Sequence, residues 1–410
     1  IEEALKRSRK GGNAAFRYSF DMLGEAALTA KDAARYFEAY RRAILAIGAG
    51  GPYPDVFAAP SISVKLSALH PRYERAKRAR VMAELAPRVL GLAQLAKALG
   101  IGFTIDAEEA DRLELSLDVI LAAHADPSLD GWEGYGLAVQ AYQKRAPLAL
   151  ELLAEAARRT GRRMPVRLVK GAYWDAEVKR AQVDGHAGFP VFTRKPNTDV
   201  SYLACARRML EAGDAFYPMF ATHNAHTIAA IHHMASGRPF EFQRLHGMGE
   251  DLYAEVIGPD KLGAACRVYA PVGSHEDLLP YLVRRLLENG ANSSFVNRIT
   301  DEAVPAAELV ADPVATVDAF ESKPHPKIPL PLALYGEERK NSMGVNLAND
   351  IDLRALAEGM NTAAASGMAG AWNAAPLVPG ASSTGDTFEV ASPADRRVKV
   401  GQWKAADAAT

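Results

Sequence analysis

Strand-like runs alternate with helical stretches along most of the chain, and this alternation constrains the fold more than any other feature. The runs are Tyr18–Leu23, Ile62–Leu69, Gly102–Ala107, Gly136–Tyr142, Val166–Lys170, Phe216–Ala221, Phe240–Leu245 and Arg267–Pro271. The clearest helical patterns following them are Lys31–Ile47, Arg75–Leu99, Leu113–Ala123, Ala146–Arg159, Asp199–Ala212 and His275–Gly290. Parallel strands need a crossover, usually a helix, so this repetition reads as a parallel sheet. Eight such units favour closure into a (β/α)8 barrel over an open sheet. No G-x-G-x-x-G or Walker loop follows a strand, which argues against a Rossmann domain. The Gly48–Gly51 cluster follows a helix and reads as a loop, and Pro87 is expected to kink or divide its helix.

The predicted class is therefore α/β: a distorted (β/α)8, TIM-like barrel with an N-terminal helical approach and a C-terminal extension. After Val314, Pro324, Pro326, Pro329 and Pro331 punctuate a linker that cannot be helical throughout. A short helix, Leu353–Ala365, follows, then a Gly/Ala/Ser-dominated stretch over 366–383. The tail Thr387–Trp403 has strand-like pieces with no evident partner. The expected division is 1–314 for the barrel and 315–410 for the linker and tail. A chain that opens on Ile1 and ends within a pattern reads as a piece of a longer protein.

The charge balance of −1 gives no global pull toward nucleic acid. No apolar run approaches the ~18 residues of a membrane span. Cys205 and Cys266 lie far apart without a C-x-x-C, pointing to a reducing, cytoplasmic compartment.

In barrels of this kind chemistry gathers at the C-terminal ends of the strands. Here those ends are polar throughout: Glu25, Lys65, Asp106 with Glu108 and Glu109, Gln140, Arg167 with Lys170, Thr222-His223-Asn224, Gln243 with His246, and Tyr269. Met164–Trp174 stands out. It begins as a buried strand, carries Arg167 and Lys170, breaks at Gly171 and ends on Tyr173 and Trp174, forming one wall of a site for a flat anionic ligand. Solvated strand ends are the plainer reading of any one of these positions, but polar residues at every end favour a site.

His275–Gly290 carries two opposed stripes. Leu279, Leu282, Val283 and Leu286 form the expected buried face. Tyr281, Arg284, Arg285 and Glu288 lie opposite, either as a solvated surface or as a clamp for a small carboxylate. Pro280 kinks the helix or marks its first turn. Histidine spacing supports no metal site. The Asp106, Glu108, Glu109 group keeps a magnesium-dependent barrel lyase or aldolase open as an alternative, and a non-catalytic scaffold is a second one.

Several segments carry a specific resemblance: SISVKLSALHPRYERA, IDAEEADRLELSLD, VQAYQKR, VRLVKGAYWDAEVKRAQVDG, FATHNAHT, EFQRLHGMGE, RVYAPVGSHEDLLPYLVRRLLENGANSSFVNR and ELVADPV. They resemble the proline dehydrogenase domain of bifunctional proline utilisation flavoenzymes and cover most of 61–314. LYGEERKNSMGVNLAND resembles the bridge to that family's aldehyde dehydrogenase domain, and the tail resembles that domain's opening strands.

The resemblance implies oxidation of L-proline to Δ1-pyrroline-5-carboxylate by hydride transfer to FAD. It also implies electrons passed to a membrane quinone, and hence peripheral contact with the inner face of the membrane. No metal is implied, and no nucleic-acid partner in this stretch. Arg167, near flavin N5, with Asp106 and Tyr269 would be the catalytic group. Asp106, Ala138 and Gln140 would border the isoalloxazine. Val169, Lys170, Gly171, Ala172 and Trp174 would follow the cofactor's spine, and Thr193, Arg194 and Lys195 would meet the pyrophosphate and adenosine. Thr222, His223, Asn224, Gln243, Arg244, Tyr269, Arg285, Glu288, Ser294 and Phe295 would complete the pocket. Lys65, Arg284 and Arg285 would take the substrate carboxylate, Leu245, Tyr269, Tyr281 and Tyr173 would enclose its ring, and Glu25 would position the arginines. The sequence departs from the family at Arg244, where a small residue or cysteine is usual, and at Phe192, where tyrosine is common.

Overall fold

The computed structural model describes residues 1–273, 278–279, 281–285, 305–365, 372–379 and 385–407. It divides into two compact units, Ile1–Gly344 and Val345–Thr410. In the first, eight parallel strands close into a barrel in sequence order: β1 (Arg17–Met22), β2 (Ser61–Val64), β3 (Gly102–Ile105), β4 (Tyr135–Gln140), β5 (Met164–Val169), β6 (Phe216–Ala221), β7 (Glu241–Leu245) and β8 (Ala265–Val272). β8 returns to pair with β1, Ser19 opposite Tyr269, so no edge is left open.

Helix α1 (Glu2–Ser8) precedes the barrel. Helices α2 (Ala30–Gly48), α3 (Leu66–Leu69), α4 (Arg78–Ala98), α5 (Leu113–His124), α6 (Ala146–Thr160), α7 (Trp174–Val183), α8 (Lys195–Glu211), α9 (Ala225–Ala235) and α10 (Glu250–Ala254) lie between the strands. Thr29 caps α2 through a reciprocal pair with Asp32, Pro196 occupies the first turn of α8, and Gly161 ends α6 at φ 63°. Helix α4 runs undivided through Pro87.

The two faces of the strands differ in chemistry. Outward positions are apolar and buried: Phe20, Ile62, Val64, Phe103, Ile105, Leu137, Val166, Leu168, Phe220, Phe242 and Val268 join one core cluster with residues such as Ile44, Ile47, Leu85, Leu92 and Leu153 of the surrounding helices. The alternate, inward set is polar: Arg17, Ser19 and Asp21 on β1; Ser61 and Ser63 on β2; Arg167 on β5; Glu241 and Gln243 on β7; Arg267 and Tyr269 on β8. Barrel interiors are ordinarily filled by branched aliphatic layers; here hydrogen-bonded charges such as Asp21, Arg167, Glu241 and Arg267 stand among small polar and apolar residues, Ser19, Ser63, Ala138 and Met219. Gly136 on β4 has no room for a side chain, since a Cβ there would come within 1.9 Å of the Pro165 carbonyl oxygen.

Two expected elements end differently. The second run does not continue as a strand to Leu69: β2 stops at Val64 and 66–69 makes the helical turn α3. Its backbone leaves the ladder because neighbouring loops satisfy it, with Ser67 N–H donating to Glu108 Oε1 and the Ser67 carbonyl accepting from Ala27 N–H. The Pro-rich stretch belongs to the barrel's unit, where Arg194 Nε donates to the Pro324 carbonyl, Asn197 Nδ2 to that of Lys323, and Asn341 Nδ2 to that of Gln182. In the second unit, helix 350–365 accompanies β9 (Trp372–Ala374), β10 (Thr387–Ala391) and β11 (Lys399–Lys404). The tail strands do have partners here: β10 pairs antiparallel with β11, and β9 lies parallel to β11.

Candidate active site

A cavity of about 460 Å³ opens over the C-terminal ends of the strands. Its floor is a hydrogen-bonded ionic group contributed by β1, β2, β3, β5, β7 and β8. Lys65 Nζ, placed by β2, lies 2.8 Å from Asp21 Oδ1 of β1 and 3.1 Å from Asp106 Oδ2, just past β3. Tyr269 Oη of β8 donates to Asp106 Oδ2 at 2.7 Å. Arg167 of β5 donates to Asp106 Oδ1 at 2.7 Å, to Gln243 Oε1 at 2.7 Å, and to Ser63 Oγ and Ser19 Oγ at 2.9 and 3.1 Å. Four of its five N–H groups are thus hydrogen-bonded, and its guanidinium lies 4.9 Å from the centre of the Tyr269 ring.

Burial alone would raise the Asp106 carboxyl, but Lys65 and Arg167 outweigh it and hold Asp106 below the usual carboxylate range. Asp21 goes the other way: burial outweighs Lys65, the nearby Asp106 adds to it, and its carboxyl is pushed up. Burial opposes charge on Lys65 as well, yet Asp21 and Asp106 keep its ammonium form strongly favoured. Burial, then Asp106 and Asp21, pushes the Tyr269 phenol far up, so it stays a donor.

Along one wall run Val169, Lys170, Gly171, Ala172, Tyr173 and Trp174. Gly171 sits at φ 136°, where a Cβ would strike the Tyr142 ring at 2.5 Å, so only glycine lets the strand turn here. Trp174 is pinned by its Nε1–H to the Phe192 carbonyl at 2.8 Å, and Lys195 Nζ stands 5.9 Å from the centre of the Trp174 ring. Lys170 pairs with Asp199. Opposite lie Thr222, His223, Asn224, Arg244 and Leu245. Burial, then Arg285 and Arg244, lowers His223 to about 4, so it is neutral near pH 7, and its Nε2 accepts the Leu245 N–H at 3.2 Å.

The described part of the last helix corrects the expected orientation. Leu279, Leu282 and Val283, the predicted buried stripe, are 64%, 44% and 44% exposed, whereas Tyr281, Arg284 and Arg285 line the cavity. Charge decides which face turns in. Arg284 donates to both oxygens of Glu25 at 2.5 and 2.9 Å and lies 5.5 Å from the centre of the Tyr173 ring, contacts that outward-facing arginines would forgo. Leu286, Glu288, Ser294, Phe295 and Pro280 lie outside the described residues.

Most other predicted positions meet at this cavity: Lys65, Asp106, Ala138, Gln140, Arg167, the 169–174 wall, Lys195, 222–224, Gln243, Arg244, Leu245 and Tyr269. Glu25 stands behind Arg284 without lining it. Thr193 and Arg194 do not line it either: Thr193 Oγ1 accepts the His325 N–H, and Arg194 stacks 4.0 Å from the centre of the Phe320 ring. Glu108 and Glu109 turn away from Asp106 toward Arg112, and no group of three or more metal-ligating side chains occurs among the described residues. Sequence reading missed Asp21, Glu241 and Arg267. Their signal was an alternating polar set inside otherwise apolar strands, visible only once inward and outward faces are separated.

The chain matches the proline dehydrogenase family over residues 4–298 and belongs to that family. It is 53% identical over 414 residues to the bifunctional protein PutA of Salmonella typhimurium, a match covering 98% of this chain and 31% of that protein. The chain thus spans about a third of that relative's length. It is 28% identical to proline dehydrogenase 1 of Bacillus subtilis, covering 72% of this chain and 86% of that one. A crystal structure of a Bradyrhizobium japonicum proline utilization A variant superposes with a TM-score of 0.83 at 55% identity, covering 88% of this chain and 37% of that one.

Proposed function

We propose that this chain oxidises L-proline to Δ1-pyrroline-5-carboxylate with FAD as the first electron acceptor. The observation that carries the reading is the juxtaposition, in one cavity, of a carboxylate-binding cluster (Lys65, Arg284, Arg285) with a wall of cations, glycine and aromatics. The cavity suits FAD: it has a flat Trp174 face, cations Lys170 and Lys195, and a buried Arg244 Nε without a partner among the described residues. Lys170, Gly171, Trp174, Lys195, Thr222 and Asn224 would hold the cofactor, and Gln140, Arg167 and Gln243 would flank its ring. When bound, FAD supplies the two-electron acceptor.

This chain's own residues do the rest. Lys65, Arg284 and Arg285 bind the carboxylate and so fix the C5–H bond, a positioning effect that lowers the entropic part of the barrier. Tyr173, Tyr281, Leu245 and Tyr269 cover the ring and exclude water. Arg167, locked by four hydrogen bonds, offers fixed positive charge where negative charge grows in the transition state. The substrate nitrogen must be deprotonated before its lone pair can form the C=N bond.

Electrons then pass to a membrane quinone, with an aldehyde dehydrogenase domain in the parent chain taking the product onward. A solved Bdellovibrio bacteriovorus relative, 28% identical, was inactivated by N-propargylglycine, an amino acid with a secondary amine, which agrees with amine chemistry at this site. The test is an absorbance spectrum of purified protein before and after anaerobic proline. A yellow protein that bleaches is expected; a colourless one that stays inactive after FAD is added refutes the assignment.

A further inference from the structure

Beneath Arg167 lies a second ionic layer that does not line the cavity: Glu241 and Arg267 are buried, and Arg17 closes it on the solvent side. Glu241 of β7 is 0% exposed. Its Oε1 accepts from Arg267 Nε at 2.6 Å and from Gln243 Nε2 at 2.9 Å. Its Oε2 accepts from Arg267 Nη2 and Arg17 Nη1, each at 3.0 Å. Arg267 is tied in turn to the carbonyls of Tyr18, Ala59 and Phe57, so the carboxylate cannot shift as a unit.

Gln243 joins this layer to the site, since its amide bonds Glu241 on one side and Arg167 on the other. A glutamine amide has a donor end and an acceptor end, whereas an ionised carboxylate only accepts and a guanidinium only donates. With Glu241 beneath it, the Gln243 amide must direct Nε2 downward and Oε1 upward, where Oε1 meets Arg167 Nε at 2.7 Å. The flipped amide would set two acceptors face to face below and two donors face to face above, leaving buried groups unsatisfied at both ends.

We infer that Glu241 is a positioning residue for the reaction: through the one-way amide of Gln243 it sets the orientation of the Arg167 guanidinium. The inference rests on the proposed proline oxidation and extends it to a residue that touches neither substrate nor cofactor.

The test is a double-mutant cycle on the FAD-loaded protein with Glu241→Gln, Arg167→Met and the double variant. Flavin reduction by proline and the midpoint potential of the bound flavin are the readouts. Glu241→Gln should lower kcat about tenfold or more while KM moves less than about threefold, because Lys65, Arg284 and Arg285 are untouched. It should also lower the potential. The double variant should be no slower and no lower in potential than Arg167→Met alone, since Glu241 acts only through Arg167. Additive losses in rate and potential would overturn the inference and leave Glu241 a stability residue. Should Glu241→Gln not fold, Glu241→Asp keeps the charge but withdraws it from Gln243 Nε2, leaving every group that lines the cavity in place. The same non-additivity with Arg167→Met is then expected, and additivity overturns it. If the parent protein itself is not bleached by proline, the proposed activity fails instead, a separate outcome.

Discussion

Lys65→Met isolates the physics of the site floor. Lys65 Nζ sits between two carboxylates at 2.8 and 3.1 Å, and the side chains of Lys65, Asp21 and Asp106 are 8%, 1% and 10% exposed. Removing one partner of a buried ion pair costs about 3–5 kcal/mol, because the remaining charge is left uncompensated. The two carboxylates do not suffer equally. Asp106 keeps Arg167 and Tyr269, whereas Asp21 loses its ion partner and already has Oδ2 unpaired among the described residues. Asp21 is therefore the group that takes up a proton. Its carboxyl, already raised in the parent, rises further without Lys65.

An acid whose folded pKa exceeds its unfolded value adds stability below the unfolded pKa and loses it as pH rises through the folded one. The deficit of Lys65→Met should thus be full at high pH, where Asp21 is ionised, and shrink as the pH falls through its raised folded pKa. At ~2–4 °C per kcal/mol, the melting temperature should fall by roughly 6–20 °C at the upper pH. Lys65→Met with Asp21→Asn should recover much of that loss, and Lys65→Met with Asp106→Asn much less, because Asp106 still anchors Arg167. Calorimetric melts of parent, single and double variants across pH measure all three effects. A Lys65→Met protein that melts with the parent, or a rescue that is equal for the two asparagines, would refute the assignment of the buried charge to Asp21.

Arg167→Met should lower kcat for flavin reduction about a hundredfold or more while KM changes little, as stopped flow would show, because a fixed cation acts as charge develops. Arg285→Met should weaken a tetrahydrofuran carboxylate, which keeps the acid but cannot form the imine, by ten- to more than a hundredfold, roughly 1.5–3 kcal/mol. Unchanged affinity in a flavin-absorbance titration would remove the clamp. Glu177, on α7 behind the 169–174 wall, accepts the Ala110 N–H at 2.7 Å, and burial pushes its carboxyl up to about 7. Its folded form holds a proton that the unfolded form releases, so the parent should lose stability between about pH 4.5 and about pH 7. Glu177→Gln should remove that slope and stabilise the protein by up to about 3 kcal/mol above it, read from melts against pH.

The alternation of eight apolar runs with helices was enough to predict the barrel and its order, because both depend on local periodicity. β6 lies at the predicted residues, and the other strands fall within the predicted runs or beside them. The polar strand ends also stood out, since an ion at the end of a buried strand conflicts with its surroundings and shows in one dimension. What stayed hidden was pairing. Nothing local to Asp21 says that it faces Lys65, and nothing near Glu241 says that Gln243 carries its polarity to Arg167. Those contacts join residues 44 and 76 positions apart, as Asp21 with Lys65 and Arg167 with Gln243, and exist only once the barrel closes. The last helix makes the same point. Its two stripes were legible in the sequence, but hydrophobicity assigned the leucine face inward. Glu25, 259 positions away from Arg284, turns the arginine face to the cavity instead. Periodicity tells which residues share a face; only the tertiary electrostatics decide which face is in.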